Sequence, residues 1–210
     1  MPMTAPVLTP PLREGDRLTP EEFLRRWDAM PDVKHAELID GIVHMSSPLS
    51  NIHGVLDQRM SAWLSFYTLV TPGCQVVSDV TWLMSAESVP QPDIAMRVEG
   101  LHSHIEEKYP SAPPELIVEI SHTTFAKDSG PKLRLYERSG VREYLIVRPE
   151  KRQAIWRELV DGRYREIDPD IDGLLRSRVF PGLWLDPETI WNYDPAAVFA
   201  VIQRGAAEHH

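Results

Sequence analysis

Cysteine is nearly missing from this 210-residue chain: Cys74 stands alone. One thiol excludes an intrachain disulfide framework and any four-thiolate zinc site. Long apolar runs are missing too. None approaches the ~18 residues that a membrane-spanning helix needs. The first twenty residues hold five prolines and no apolar core, so they are not expected to act as a secretory signal. A cytoplasmic protein is therefore the expectation. Basic residues are the minority, 22 Lys plus Arg against 31 Asp plus Glu, a net charge of −9. That balance argues against a protein that coats nucleic acid by charge alone.

What is present is an ordinary globular composition, 42% apolar and 25% charged. The charge is uneven. Residues 127–165 carry eleven Lys/Arg against six acids, which leaves −14 on the remainder. This reads as either a mixed-charge surface or a local basic face beside an acidic cluster.

Residues 1–18 are Pro-rich and aperiodic, and are expected to form a flexible arm ahead of a single domain over 19–210. Thr19, followed by Pro20-Glu21-Glu22, is a helix start: a hydroxyl cap, an early proline and acids at the positive end of the dipole. Asp40-Gly41 and Asp161-Gly162 are hairpin turns. Ile52, Leu56, Met60, Trp63, Leu64 and Tyr67 repeat at helical spacing, which predicts a helix from about Ser50 to Leu69. Strands are expected over residues 75–84, 91–98, 115–121 and 141–147, a helix over 131–139, and a closing helix near 195–203. The alternation of strands and helices predicts an α/β fold with a mixed sheet.

In Leu116-Ile117-Val118-Glu119-Ile120, alternation places Leu116, Val118 and Ile120 on one face and Ile117, Glu119 and Ser121 on the other. Both faces are apolar, so this is an inner strand. Glu119 in such a strand must be protonated, paired or bound to metal. Asp93, at the head of the strand Ile94-Ala95-Met96, pairs naturally with it, because adjacent strands can bring two carboxylates together for a hard cation. Lys132 is expected in the first turn of the 131–139 helix, where the dipole disfavours a cation unless an anion lies beside it.

Pro92-Asp93, Glu119-Ile120-Ser121, Asp128, Lys132, Tyr136, Gly140-Val141 and Tyr144, with HAELIDGIVHMSSP upstream, are the residues that carry a family likeness. Over about residues 20–160 the chain resembles the Uma-two-type restriction endonucleases of the PD-(D/E)xK nuclease superfamily. The resemblance implies a restriction-endonuclease-like mixed central sheet flanked by helices, and Mg²⁺- or Mn²⁺-dependent hydrolysis of DNA phosphodiesters. It implies Asp93 and Glu119 as metal ligands, with Glu37 as an additional acid. The motif's lysine position is Ser121, so the lysine is expected to have migrated to Lys132. His53 and Tyr136 are accessory positions. The resemblance also implies that two copies pair on one duplex, with the basic strip after residue 127 on the phosphate backbone. Asp93→Ala and Glu119→Ala are expected to abolish cleavage, and Lys132→Ala to lower it while leaving the fold intact. Two alternatives stay open: a non-catalytic relative that binds nucleic acid or a protein partner, and a hydrolase of another phosphodiester.

Other signals are weaker. His102 and His104 could ligate a transition metal but sit in a polar loop. Ser121, His122 and Asp128 lack the elbow motif of a serine hydrolase. The tryptophans are scattered rather than arranged as a stacking platform. His209 and His210 carry no assigned role.

Overall fold

In a computed structural model, which describes residues 9–46, 48–100, 108–192 and 194–209, both Asp-Gly pairs turn hairpins as expected. Asp40 and Gly41 have φ of 52° and 74°, and Asp161 and Gly162 have 51° and 75°. A two-residue turn whose twist matches that of the strands needs positive φ at both positions, which Asp-Gly tolerates. The first turn joins β1 (Ala36–Ile39) to β2 (Ile42–Met45). The second joins β7 (Gln153–Val160) to β8 (Arg163–Glu166).

Helix α1 (Pro20–Asp28) is capped by the Thr19 side chain, which accepts from the Glu22 amide. Helix α2 (Asn51–Val70) is capped by Ser50. Then come β3 (Cys74–Ser78), β4 (Ile94–Val98), β5 (Leu116–Ile120), the short helix α3 (Phe125–Lys127), α4 (Leu133–Ser139) and β6 (Glu143–Arg148). The sheet runs β3-β4-β5-β6-β7-β8. Only β5 and β6 pair in parallel, across the helical crossover between them. The expected strand over 75–84 stops at Ser78, and the strand over 91–98 starts at Ile94. Between them the chain leaves the ladder at Asp79, whose φ is 54°, to pair Val89 with Leu38 of the hairpin.

Alternation in β5 behaves as read. Leu116, Val118 and Ile120 join Leu56, Met60, Trp63, Leu64 and Tyr67 of α2 in one core. Ile117 joins Leu135, Tyr136, Tyr144 and Ile146 in a second core on the other face. The C-terminal elements β9 (Leu175–Arg176), β10 (Trp184–Leu185), α5 (Pro187–Asn192) and α6 (Pro195–His209) close over the α2 side. Gly182 and Gly205 let α6 approach: a methyl group at position 205 would stand 2.2 Å from the Gly182 carbonyl oxygen.

Two expectations need correction. The arm is not loose where it is described. Leu12 is buried beside Phe23, Leu38 and Val43, and the Gly15 amide donates to the Val43 carbonyl while the Val43 amide donates to Asp16. The apolar Leu12 and the unpaired edge of β2 explain the docking. The helix expected from Pro131 also begins earlier, at Phe125, and runs as α3, one π turn over Asp128–Lys132, and α4. Pro131 has no N–H and its ring crowds the carbonyl four residues back, so the wider turn admits it without ending the helix. Lys132 is thus two turns inside the helix, and the dipole argument does not apply to it. His102 and His104 lie outside the described residues. Among those described, no helix is long and apolar enough to cross a membrane.

Candidate active site

The β4–β5 register pairs Ile94 with Val118. One residue beyond that pair, Asp93 just ahead of β4 and Glu119 in β5 line one cleft. The Ile120 amide donates to Asp93 Oδ2 at 2.6 Å, and His53 Nε2 of α2 lies 3.3 Å from the same oxygen. The Asp93 carboxylate in turn holds the His53 imidazole above its ordinary pKa.

Glu119 is buried, and its Oε1 receives Lys132 Nζ at 2.6 Å and the Tyr136 hydroxyl at 2.9 Å. Glu37 of β1 is buried beside it. Its Oε1 receives Lys132 Nζ at 2.7 Å and the Gln91 amide at 3.0 Å, and its Oε2 receives Lys127 Nζ at 2.7 Å. Lys132 is therefore clasped between two glutamates and is only 2% exposed. Glu119 is neither partnered by an arginine nor left alone. Asp128 is buried behind the clasp and accepts from the hydroxyls of Ser121 and Thr124. Ser121 thus serves as a donor to Asp128.

Burial by itself raises a carboxyl pKa. It pushes Glu119 well above its ordinary range, with Lys132 opposing and Asp93, Asp128 and Glu37 adding to the rise. Burial also opposes ionisation of Glu37, but there Lys132 and Lys127 together win and bring the carboxyl down to about 2. Burial disfavours the Lys132 cation as well, and the carboxylates of Glu119, Glu37 and Asp128 outweigh it, so its pKa is raised.

Glu37, His53, Asp93, Glu119, Lys127, Asp128 and Lys132 line a cleft of about 540 Å³, together with His35, Asp79, His122 and Thr123. Five carboxylates (Glu37, Asp79, Asp93, Glu119, Asp128) face two ammonium groups (Lys127, Lys132) there. A second cleft, lined by Glu14, His44, Ala126 and again by Met45, Ser46, Thr123, Thr124 and Lys127, continues from the first.

As arranged, no three His, Cys, Asp or Glu side chains among the described residues converge to hold an ion. Magnesium asks for less, since it keeps several waters and takes one or two carboxylates. Asp93 and Glu119 fit that donor set. The contacts of Glu119 fall on Oε1 and those of Asp93 on Oδ2, so each retains a second oxygen. Glu37 is engaged by both lysines and fits the set less well.

The expected basic strip is largely cancelled in place. Arg138 meets Asp40, Arg157 meets Glu166, Arg163 meets Glu137, Arg165 meets Asp161 and Arg152 meets Glu188. Local charge counting missed this, because three of these five acids lie outside residues 127–165 or across a strand pair. Sequence reading also missed Lys127 as a partner of Glu37. The available signal was Gly130-Pro131 inside a helical pattern, which marks a widened turn and so a changed facing of Lys127 and Lys132.

A family model described as "Uma2: Putative restriction endonuclease" matches residues 20–188. Among solved structures, one described as "a putative nuclease belonging to DUF820" from Anabaena variabilis superposes with a TM-score of 0.68 at 13% identity. The match covers 84% of this chain and 98% of that one. No curated protein matches.

Proposed function

The chain belongs to the Uma2 family, and from that premise we propose that it is a Mg²⁺-dependent DNA endonuclease whose centre is Asp93, Glu119 and Lys132. The observation that carries the proposal is the clasp: a buried ammonium fixed against Glu119, with Asp93 lining the same cleft. A purely structural ion pair has no need of a cleft, yet this one lines an open cleft. Mg²⁺ (or Mn²⁺) held by Asp93 and Glu119 would polarise the scissile phosphate and lower the pKa of water.

The protein's own groups do the rest. Ile120 N–H and His53 fix the Asp93 carboxylate. Tyr136, whose hydroxyl burial keeps protonated, fixes Glu119. An ammonium has three donors. Glu37 and Glu119 take two from Lys132, and the third serves the attacking water or the phosphate oxygen on which charge grows. Hydrolysis forms a P–O bond to water and breaks the P–O bond to the leaving sugar oxygen. Glu37 acts here as a positioning residue for Lys132.

The carboxylate excess in the cleft supports the cation requirement, because a polyanion is repelled there until divalent charge enters. Plasmid nicking with Mg²⁺ or Mn²⁺ tests the proposal. Wild-type protein is expected to nick, and Asp93→Ala and Glu119→Ala to lose at least about 10²-fold, the scale of removing one electrostatic stabiliser. Equal rates in wild type and both variants would sink it. Cleavage of bis(p-nitrophenyl) phosphate without cleavage of DNA would reassign the substrate to a smaller phosphodiester.

A further inference from the structure

In a regular α-helix, residues five apart lie about 140° apart around the axis. Lys127 and Lys132 are five apart, yet their ammonium groups close on the two oxygens of one carboxylate, Glu37, each at 2.7 Å. The π turn over Asp128–Lys132 makes this possible by bringing positions five apart nearly into line. The two lysines differ in one respect. Lys132 is 2% exposed and Lys127 is 24% exposed. Lys127 is also the charged residue shared by the two clefts, flanked by the exposed Thr123 and Thr124.

We propose that Lys127 is a second functional lysine: it binds a phosphate of the DNA strand that passes from the catalytic cleft into the neighbouring one, and Glu37 is its tether in the free protein. This rests on the nuclease reading above and extends it to a residue outside the acid pair and Lys132. The exchange leaves Glu37 a partner. When Lys127 turns to a phosphate, Glu37 keeps Lys132 and the Gln91 amide on Oε1, so no buried carboxylate is stranded. Lys132 has no such freedom, because its departure would leave the buried Glu119 without a cation. The π turn thus divides the labour: the inner lysine serves the reacting centre and the outer one the incoming strand.

The test is fluorescence anisotropy of a fluorescein-labelled DNA duplex over a salt series, with Ca²⁺ in place of Mg²⁺, beside Mg²⁺-driven nicking kinetics. Lys127→Gln is expected to weaken binding several-fold and to reduce the slope of log K against log salt by about 1, the signature of one lost phosphate contact. KM should rise more than kcat falls, and Lys127→Arg should stay near wild type. The double variant Lys127→Gln/Glu37→Gln removes both charges together and should show the same slope loss, which keeps the test open if the single change disturbs the clasp. If wild type binds and cuts but both neutral variants keep its salt slope, Lys127 has no such role and the nuclease reading stands. If wild type neither binds nor cuts DNA, the nuclease reading falls and this proposal with it.

Discussion

One ammonium group cannot fully neutralise two buried carboxylates. Between Glu37 and Glu119 the tie is broken by Lys127, which adds its charge to Glu37 alone. Glu119 is left the poorer partner, and its carboxyl is driven upward. Removing the shared cation strands Glu119 and leaves Glu37 to Lys127 alone. Lys132→Ala is therefore expected to lose about 3–5 kcal/mol, or roughly 10 °C in Tm for a chain of this size. Differential scanning calorimetry checks this, and a Tm equal to that of the wild type would instead uphold the expectation that the variant keeps its fold intact. Asp57, half-buried on α2, has its carboxyl pushed up to about 6 by burial and by Asp93 and Asp79, against His53. A carboxyl with a raised folded-state pKa contributes stability below its unfolded value near 4, and that stability is lost as pH rises through about 6. Asp57→Asn should thus raise Tm by a few degrees at about pH 8 and change it little at about pH 4, as thermal melts across pH would show. At Gly205, a methyl group would press on the Gly182 carbonyl. Gly205→Ala is expected to cost about 1–3 kcal/mol, read as a lower Tm with α6 loosened in hydrogen exchange.

The elements were legible where local chemistry decides them. Thr19 and Ser50 cap α1 and α2, and the two Asp-Gly pairs turn their hairpins, because each depends on a few adjacent residues. The β5 alternation exposed the buried position of Glu119 for the same reason. The helical crossover was misread because Pro131 normally starts or stops a helix, and only tertiary support lets one span it. That support is visible in the Tyr144 hydroxyl of β6, which donates to the Asp128 carbonyl. Deleting Gly130 should convert the π turn to a regular one, with Lys132 then four positions after Lys127 and about 40° from it around the axis, so the two lysines stay on one face. The expected outcome is that nicking persists, with the circular dichroism of the sheet and helices retained. An inactive but folded deletion variant would show that a shared face alone does not suffice.

For the whole molecule, the fold class and the gathering of Glu37, Asp93, Glu119 and Lys132 followed from the sequence and its family likeness, although these residues span 95 positions. The cancelled basic strip did not, since the partners of Arg138 and Arg152 are Asp40 and Glu188, remote in sequence. Surface ion pairs of this kind contribute little stability, but they remove free positive charge from the region expected to meet DNA. The docked stretch from Leu12 to Leu18 was likewise invisible, because a Pro-rich run gives no sign of the strand edge it will cover.

Glu37 and Lys127 are separated by 90 residues. A ribosome makes the acid first and needs roughly 5–20 s more to supply the first of its cations. Until then the β1–β2 hairpin cannot bury that carboxylate cheaply. The nascent chain must hold the segment open to water, and the cleft closes only once the helix carrying both lysines has emerged. A ribosome-stalled chain ending within the helix should leave residues 36–45 open to protease, whereas one extended past β6 should protect them.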